Sequence, residues 1–409
     1  MSAAASKLPR LHGSQRSVPI PAASRTGLLL LAVLVAPECQ SPTAVPPAVV
    51  VAAPPAQPSP AKLPRADPPP EPAPRQDLVI DAVGDLMLGS TFPEGSALPP
   101  RDGAGLLAEV SPILRSADVA FGNLEGPLVD GHDPPTCTAG AIAEKRRGAR
   151  GGDTSCWAFR VPARYGQHLA EAGFDVLSLA NNHILDFGEA GRESTRRTLD
   201  QLGIAHSGPV GIVAHIGVRG TTIDVIAFAT YDTSNDLDDL DSARALVARS
   251  AAAADVVVVS FHGGAEGLDH QHVPASLETY YGEGRGALRA FAHAMVDAGA
   301  DLVLGHGPHV VRGMEIRKGR LIAYSLGSFA TYGGISVAGG LGVSLILEAH
   351  LGPDGAFLGG RIHPIRQLSP GGPRRDARAE VIPTLRALSR EDFGEAAVRV
   401  DDGGVLAAP

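Results

Sequence analysis

Aromatic side chains are scarce in this chain. They make up 4% of its 409 residues, with a single Trp, 6 Tyr and 11 Phe. Hydrophobic residues still reach 44%, so a sizeable core is expected, built mostly of Ala, Val, Leu and Ile. Positive charge is short as well: 35 Lys and Arg against 44 Asp and Glu leave a net charge of −9. A nucleic-acid partner needs a basic face that displaces phosphate counterions. Attachment to a membrane through a polybasic patch needs the same surplus. Neither partner is supported. Cysteine occurs three times, at Cys39, Cys137 and Cys156, never as CxxC, which is poor zinc geometry. No GxSxG and no reactive-cysteine setting occur, so nucleophilic catalysis has no candidate.

Proline, by contrast, is abundant, and its 34 copies are unevenly spread. Lys7, Arg10, Arg16 and Arg25 precede an apolar run from Gly27 to Ala36. That run is too short to span a bilayer but suits a signal peptide. Cys39 follows where a bacterial lipoprotein carries its lipidated cysteine, although Glu38 departs from the small residues of such a site. Lipidation at Cys39 and cleavage nearby both stay open. Residues 1–39 are therefore read as an export signal and 40–75, mostly Pro and Ala, as an extended tether. The globular domain is expected over 76–405. In an oxidising compartment Cys137 and Cys156 are read as a disulfide that closes the polar loop Thr138 to Ser155, in preference to free thiols or half a metal site.

From Asp77 onward, short β-rich runs alternate with helical patterns such as Pro162 to Ala172, Gly188 to Leu202 and Gly286 to Ala298. That alternation implies an α/β sheet covered on both faces. After Arg320 the pattern turns to strands with tight turns, which suggests a second, more antiparallel sheet packed on the first. The strands share their endings. They stop at Gly84-Asp85, at Gly122-Asn123-Leu124-Glu125, at Asn181-Asn182-His183 with Asp186, at His262-Gly263-Gly264-Ala265-Glu266, and at Gly305-His306-Gly307-Pro308-His309. The carboxyl ends of strands line the ligand crevice of α/β sheets. One such end would cap a helix; five carrying carboxylate, amide and imidazole point to a divalent-metal site. Asp269-His270-Gln271-His272 also carries two His, but it lacks further ligands and reads as a solvated loop.

Together with Tyr324-Ser325-Leu326-Gly327, these motifs resemble the CapA family, the bacterial capsule-synthesis proteins associated with poly-γ-glutamate, over roughly Asp77 to Asp402. The resemblance implies a calcineurin-like metallophosphoesterase fold, a four-layer α-β-β-α sandwich. It implies Asp85 and His309 on a first metal, Glu125 as a bridging carboxylate, and Asn182, His262 and His306 on a second. His183 becomes a proton donor steadied by Asp186, and Asn123, Glu266 and Arg285 become substrate-binding residues. For Arg285, clamping an anion, pairing with Glu283 and capping the next helix all remain open. The cofactor expected is one or two ions of Mn, Fe or Zn. Three positions depart from the pattern. Met87 stands where metallophosphoesterases carry a His, Gly263 where many relatives carry Trp, and Ser328 where the family has Asn. The function implied is a metal-dependent hydrolase of the cell envelope, acting on an anionic polymer or phosphoester beside capsule-assembly membrane proteins. The alternative is a module that binds such a polymer without cleaving it.

Overall fold

The computed structural model describes residues 77–92, 96–136 and 157–409. The export signal, the tether, Cys39 and the Cys137–Cys156 pair lie outside the described residues.

Two large sheets carry the fold. Across the first, the strand order is Arg399–Val400, Val405–Ala407, Phe357–Gln367, Val343–Leu351, Leu78–Met87, Val119–Leu124, Val176–Ser178 and Ala205–Ser207. From Leu78–Met87 to Ala205–Ser207 the pairing is parallel, while Val343–Leu351 runs antiparallel to Leu78–Met87. Across the second sheet the order is Met314–Arg317, Arg320–Ala323, Leu302–His306, Val256–His262, Thr221–Ala229 and Ala214–Val218. Its four central strands are parallel.

Alternation along each strand sorts side chains between two faces. Ile80, Ala82, Val119 and Phe121 of the first sheet share one core with Val225, Val258, Leu302 and Leu304 of the second. On the far side of the first sheet, Val83, Ala120 and Leu177 pack with Val110, Leu114, Leu169 and Leu199, which come from helices and turns. On the far side of the second, Ile226, Val257, Val259 and Val303 pack with Val247, Phe291 and Met295 of the helices Leu240–Ala251 and Leu288–Ala298. The result is the four-layer α-β-β-α sandwich. Strands buried on both faces read as near-continuous apolar runs, as Val256–His262 does.

One expectation is corrected. The antiparallel strands after Arg320 do not make a second sheet of their own. Val343–Leu351 and Phe357–Gln367 extend the first sheet, while Thr221–Ala229, Val256–His262 and Leu302–His306 leave it to form the second. Periodicity identifies a strand, but its neighbour is set by which sheet edge is free. Here the open edge of Leu78–Met87 takes Val343–Leu351, from Leu78 against Leu351 to Val83 against Ile346.

Candidate metal centre

The parallel registers bring the strand ends level. Asp85 pairs across from Asn123, and Asn123 from Ser178, in the first sheet; His306 pairs across from His262 in the second. Glycine makes the approach of neighbouring loops possible. A Cβ on Gly84 would lie 1.8 Å from the carbonyl oxygen of Gly327, and one on Gly305 would lie 2.2 Å from that of Tyr324. The Gly327 carbonyl then accepts from the Asp85 N–H at 3.0 Å. His309 adopts φ 58°, a left-handed conformation that non-glycine residues rarely hold without other contacts to enforce it.

His309 Nδ1 donates to Asp85 Oδ2 at 3.0 Å, and its Nε2 lies 3.6 Å from Glu125 Oε1. His262 Nε2 stands 3.7 Å from the same Glu125 oxygen. Glu266 closes the outer side, 4.0 Å from His309 Nε2. Asn123 sits beneath, fully buried. Its Nδ2 donates to Asp85 Oδ1 at 2.8 Å and lies 3.3 Å from His262 Nδ1. Asn181 in turn donates to Asn123 Oδ1 (3.1 Å) and to the Leu124 carbonyl (2.9 Å), while its Oδ1 accepts from the N–H groups of His183 and Ile184. Beside this group, His183 Nδ1 donates to Asp186 Oδ2 at 2.9 Å, and the same oxygen accepts from the Phe159 N–H at 2.8 Å.

Burial and neighbouring charge divide the titrating groups. Burial alone would raise Asp85, but the His309 hydrogen bond and the nearby imidazoles outweigh it and hold its carboxyl below the ordinary range. Burial, aided by the negative charges of Asp85 and Glu266, lifts Glu125 to about 7 against the pull of His309. Burial also opposes charge on His309, yet Glu125 and Asp85 together raise it to about 10. His262 is driven well down, chiefly by burial. Asp85 and His309 thus form an ion pair, and Glu125 is a buried carboxyl that makes no hydrogen bond and is opposed chiefly by the His309 charge at 3.6 Å.

The residues fit a divalent cation. Both Glu125 carboxylate oxygens, Asn182 Oδ1 and His262 Nε2 are buried without any hydrogen-bond partner. Such orphaned groups cost about 1–3 kcal/mol each, and a cation between Glu125 and His262, whose facing atoms are 3.7 Å apart, would satisfy theirs. Asp85, Glu125 and His309 offer ligand atoms within 4.8 Å of one another.

Several expected roles change. Of the residues in the two ligand sets implied by the resemblance, the described contacts bring together Asp85, Glu125, His262 and His309. His306 lies level with His262 and acts on Asp85 through its charge; its Nε2 donates to the Val83 carbonyl at 3.1 Å and its Nδ1 lies 3.4 Å from Ser260 Oγ. Asn123 does not face a substrate, because its polar atoms are taken by Asp85, His262 and Asn181. Arg285 neither pairs with Glu283 nor caps a helix. It is 3% exposed, with Nη2 on Glu266 Oε1 (3.0 Å) and Nε on the Gly264 carbonyl (3.0 Å). Met87, 3% exposed, packs near Gly334. In the loop after Glu266, His272 Nδ1 donates to Asp392 at 2.8 Å. Two contributors had gone without a role: Asn181, whose signal was the Asn-Asn-His run, and Phe159, which carried none.

A four-layer α/β fold gathers carboxylates and imidazoles at its strand ends, and the group Asp85, Glu125 and His309 could hold a metal ion. Residues 79–332 match the model of the family described as bacterial capsule synthesis protein PGA_cap, and the chain belongs to that family. It is 28% identical over 275 residues to the capsule biosynthesis protein CapA of Bacillus anthracis, covering 62% of this chain and 60% of the relative. It is 29% identical over 272 residues to the PGA biosynthesis protein CapA of Bacillus subtilis strain 168, covering 62% and 63%. The chain thus spans about three fifths of the length of these relatives. A solved 5'-nucleotidase precursor from Thermus thermophilus aligns with a TM-score of 0.38 at 12% identity, over 78% of this chain and 59% of that one.

Proposed function

We propose that this chain is an exported, divalent-metal-dependent hydrolase of capsule or poly-γ-glutamate biosynthesis, acting on a cell-envelope polymer or a phosphoester. What carries the reading is one coincidence. A buried donor set with four unpartnered atoms stands beside a His183–Asp186 pair that simple chelation does not need. Asp85, Glu125, His262 and His309, with Asn182, would hold the cation. When bound, it supplies Lewis-acid polarisation of an ester or amide oxygen and lowers the pKa of water. Asp186 orients His183 through Nδ1, and Nε2 has no partner among the described residues, so it is placed to give a proton to the departing group. Asn181 anchors the start of this turn through the His183 and Ile184 N–H groups.

Export is supported by the Gly27 to Ala36 run behind four basic residues. Among the described residues no helix is long and apolar enough to cross a membrane. Lipidation at Cys39, a Cys137–Cys156 disulfide and capsule-assembly membrane proteins as partners belong to the same proposal. Met87, where a further His ligand would strengthen the site, favours a second reading: a tethered module that grips an anionic polymer without cleaving it.

Metal analysis and hydrolysis assays on wild type, His262→Ala and His183→Ala separate these readings. His262→Ala is expected to lose the metal. His183→Ala is expected to keep it while hydrolysis falls by roughly 10²–10⁴-fold. Metal-free wild type after growth in metal-replete medium would sink the hydrolase. Full retention of polymer binding in His183→Ala, with no hydrolysis in any form, would favour the module.

A further inference from the structure

A cavity of about 310 Å³ lies beside the candidate centre, walled by Phe92, Trp157, Phe159 and Tyr332, with Gly333 and Gly334. Among the described residues, no charged one lines it. Phe159 joins it to the chemistry. Its ring stands edge-on to His183 with centroids 4.8 Å apart, and its N–H holds the Asp186 oxygen that orients His183. A second, smaller space of about 10 Å³ shares Phe159 with the cavity and is lined also by Met87, Glu125 and Arg160. Gly334 keeps this wall thin, since a Cβ there would lie 2.8 Å from the Phe159 ring and 3.3 Å from Met87 Sδ. The position that would carry a metal-binding His is thus apolar wall.

We propose that this cavity receives the leaving group and selects a flat, uncharged ring, which makes the substrate a phosphoester of a ring-bearing alcohol. The inference rests on the reading of His183 as proton donor. A general acid works within hydrogen-bond reach of the oxygen it protonates, so the group beyond that oxygen extends past Phe159. Water adds at phosphorus and the bond to the ring-bearing oxygen breaks, the electron pair leaving with that oxygen. The His183 proton completes the alcohol, and the attacking water returns one proton to the imidazole or solvent. Three aromatic walls and a phenol favour a flat ring by stacking and edge contacts. An anionic γ-glutamyl segment would lose its hydration there with no counter-charge among the described lining residues to meet it.

Trp157 is the only tryptophan of the chain and is 65% exposed, so its emission reports on the cavity independently of turnover. The test uses metal-loaded full-length mature protein with benzyl phosphate, ethyl phosphate and γ-glutamate oligomers. Both esters leave as alkoxides, so the ring is the main difference between them. Benzyl phosphate is expected to shift Trp157 emission saturably and to be hydrolysed with the higher kcat/KM. Phe92→Ala and, at the exposed rim, Trp157→Ala are each expected to cut that benzyl-over-ethyl preference about tenfold, the scale of one lost aromatic contact. Equal kcat/KM for the two esters with no emission change would overturn the cavity assignment and leave the hydrolase standing. A saturable benzyl phosphate response with no hydrolysis of either ester would keep the ring-binding cavity and remove the hydrolase. Oligomers of γ-glutamate that shift Trp157 as strongly as benzyl phosphate would also overturn it.

Discussion

Arg312 and Glu278 meet in the interior with their bonds almost fully used. Arg312, 0% exposed, donates through Nη1 to Glu278 Oε1 at 2.9 Å and through Nη2 to Oε2 at 2.8 Å and to the Ala265 carbonyl at 3.0 Å. The Ala265 N–H returns to Glu278 Oε2 at 2.9 Å. Glu125 is as deeply buried, at 1% exposure, yet neither of its oxygens has a hydrogen-bond partner. The closed pair uses its hydrogen bonds to hold the Gly263 to Glu266 turn that carries Glu266 to the centre. The open group keeps its lone pairs for something the polypeptide does not supply. Buried polar groups are nearly always satisfied, so the difference separates a structural from a ligand-directed cluster more sharply than residue type does.

The largest effect is expected at the closed pair. Arg312→Met leaves Glu278 buried and uncompensated, and should cost about 3–5 kcal/mol. Urea unfolding measures this, and a double change with Glu278→Leu should recover much of the loss. A loss below about 1 kcal/mol in the single variant would mean that the pair is not what holds the turn.

Asp81 puts a third case beside the two. It is 1% exposed with neither oxygen partnered, but it faces Glu348 across the strands rather than imidazoles at bonding distance. His350 and His363 are occupied by Glu348, at 3.0 and 2.9 Å, and His350 also by Asp77 at 2.5 Å. Burial, then the charge of Glu348, lift Asp81 from the ordinary 3.8 to about 8, with His350 pulling the other way. The folded state therefore holds a proton that the unfolded state has released. That contribution is fully present below pH about 4 and is lost as pH rises through about 8. Asp81→Asn should gain on wild type steadily across this window, read as Tm against pH, while leaving metal content unchanged. Loss of metal in Asp81→Asn would erase its distinction from Glu125.

A smaller effect of unusual sign is expected at Glu125 itself. In metal-free protein, Glu125→Gln removes a carboxyl that makes no hydrogen bond and whose burial cost is offset chiefly by the His309 charge, and it should be neutral or stabilising by about 1 kcal/mol, although it abolishes tight metal binding. Chemical unfolding in chelator beside metal analysis would check both halves. Destabilisation of the metal-free form would show that the His309 charge outweighs the cost of burying Glu125. Smallest of all, removal of residues 1–75 should leave the unfolding midpoint of the domain unchanged, because their Pro- and Ala-rich composition offers little to pack. A clear drop in that midpoint would mean that the segment docks.

Much of the centre could be read from residue order. Gly-Asp at 84–85, Asn-Leu-Glu at 123–125, Asn-Asn-His at 181–183 and His at 262 and 309 stand at strand ends, and strand ends converge in any α/β sheet. Partner choice within that set could not be read. Arg285 has Glu283 two residues away, yet it is bound to Glu266 because both are drawn into the interior while Glu283 stays exposed. His306 carries the same motif as His309, but its strand position turns its Nε2 onto the Val83 carbonyl, whereas the left-handed turn at His309 aims its ring at Asp85.

Local pattern therefore settled which segments are strands and helices, where each strand ends in a polar residue, and which chemistry those residues have in common. Those properties depend on neighbours a few positions apart, through alternation and helical spacing. Tertiary structure alone decided that Val343–Leu351 and Phe357–Gln367 join the first sheet, that Glu125 is left without hydrogen bonds while Glu278 is closed, and that Phe159 lies against His183. Each of these rests on contacts between distant parts of the chain, such as the 224 positions between Asp85 and His309 or the 139 between Asn123 and His262. Burial and hydrogen-bond supply at such points are properties of the packed layers, and no window along the chain contains them.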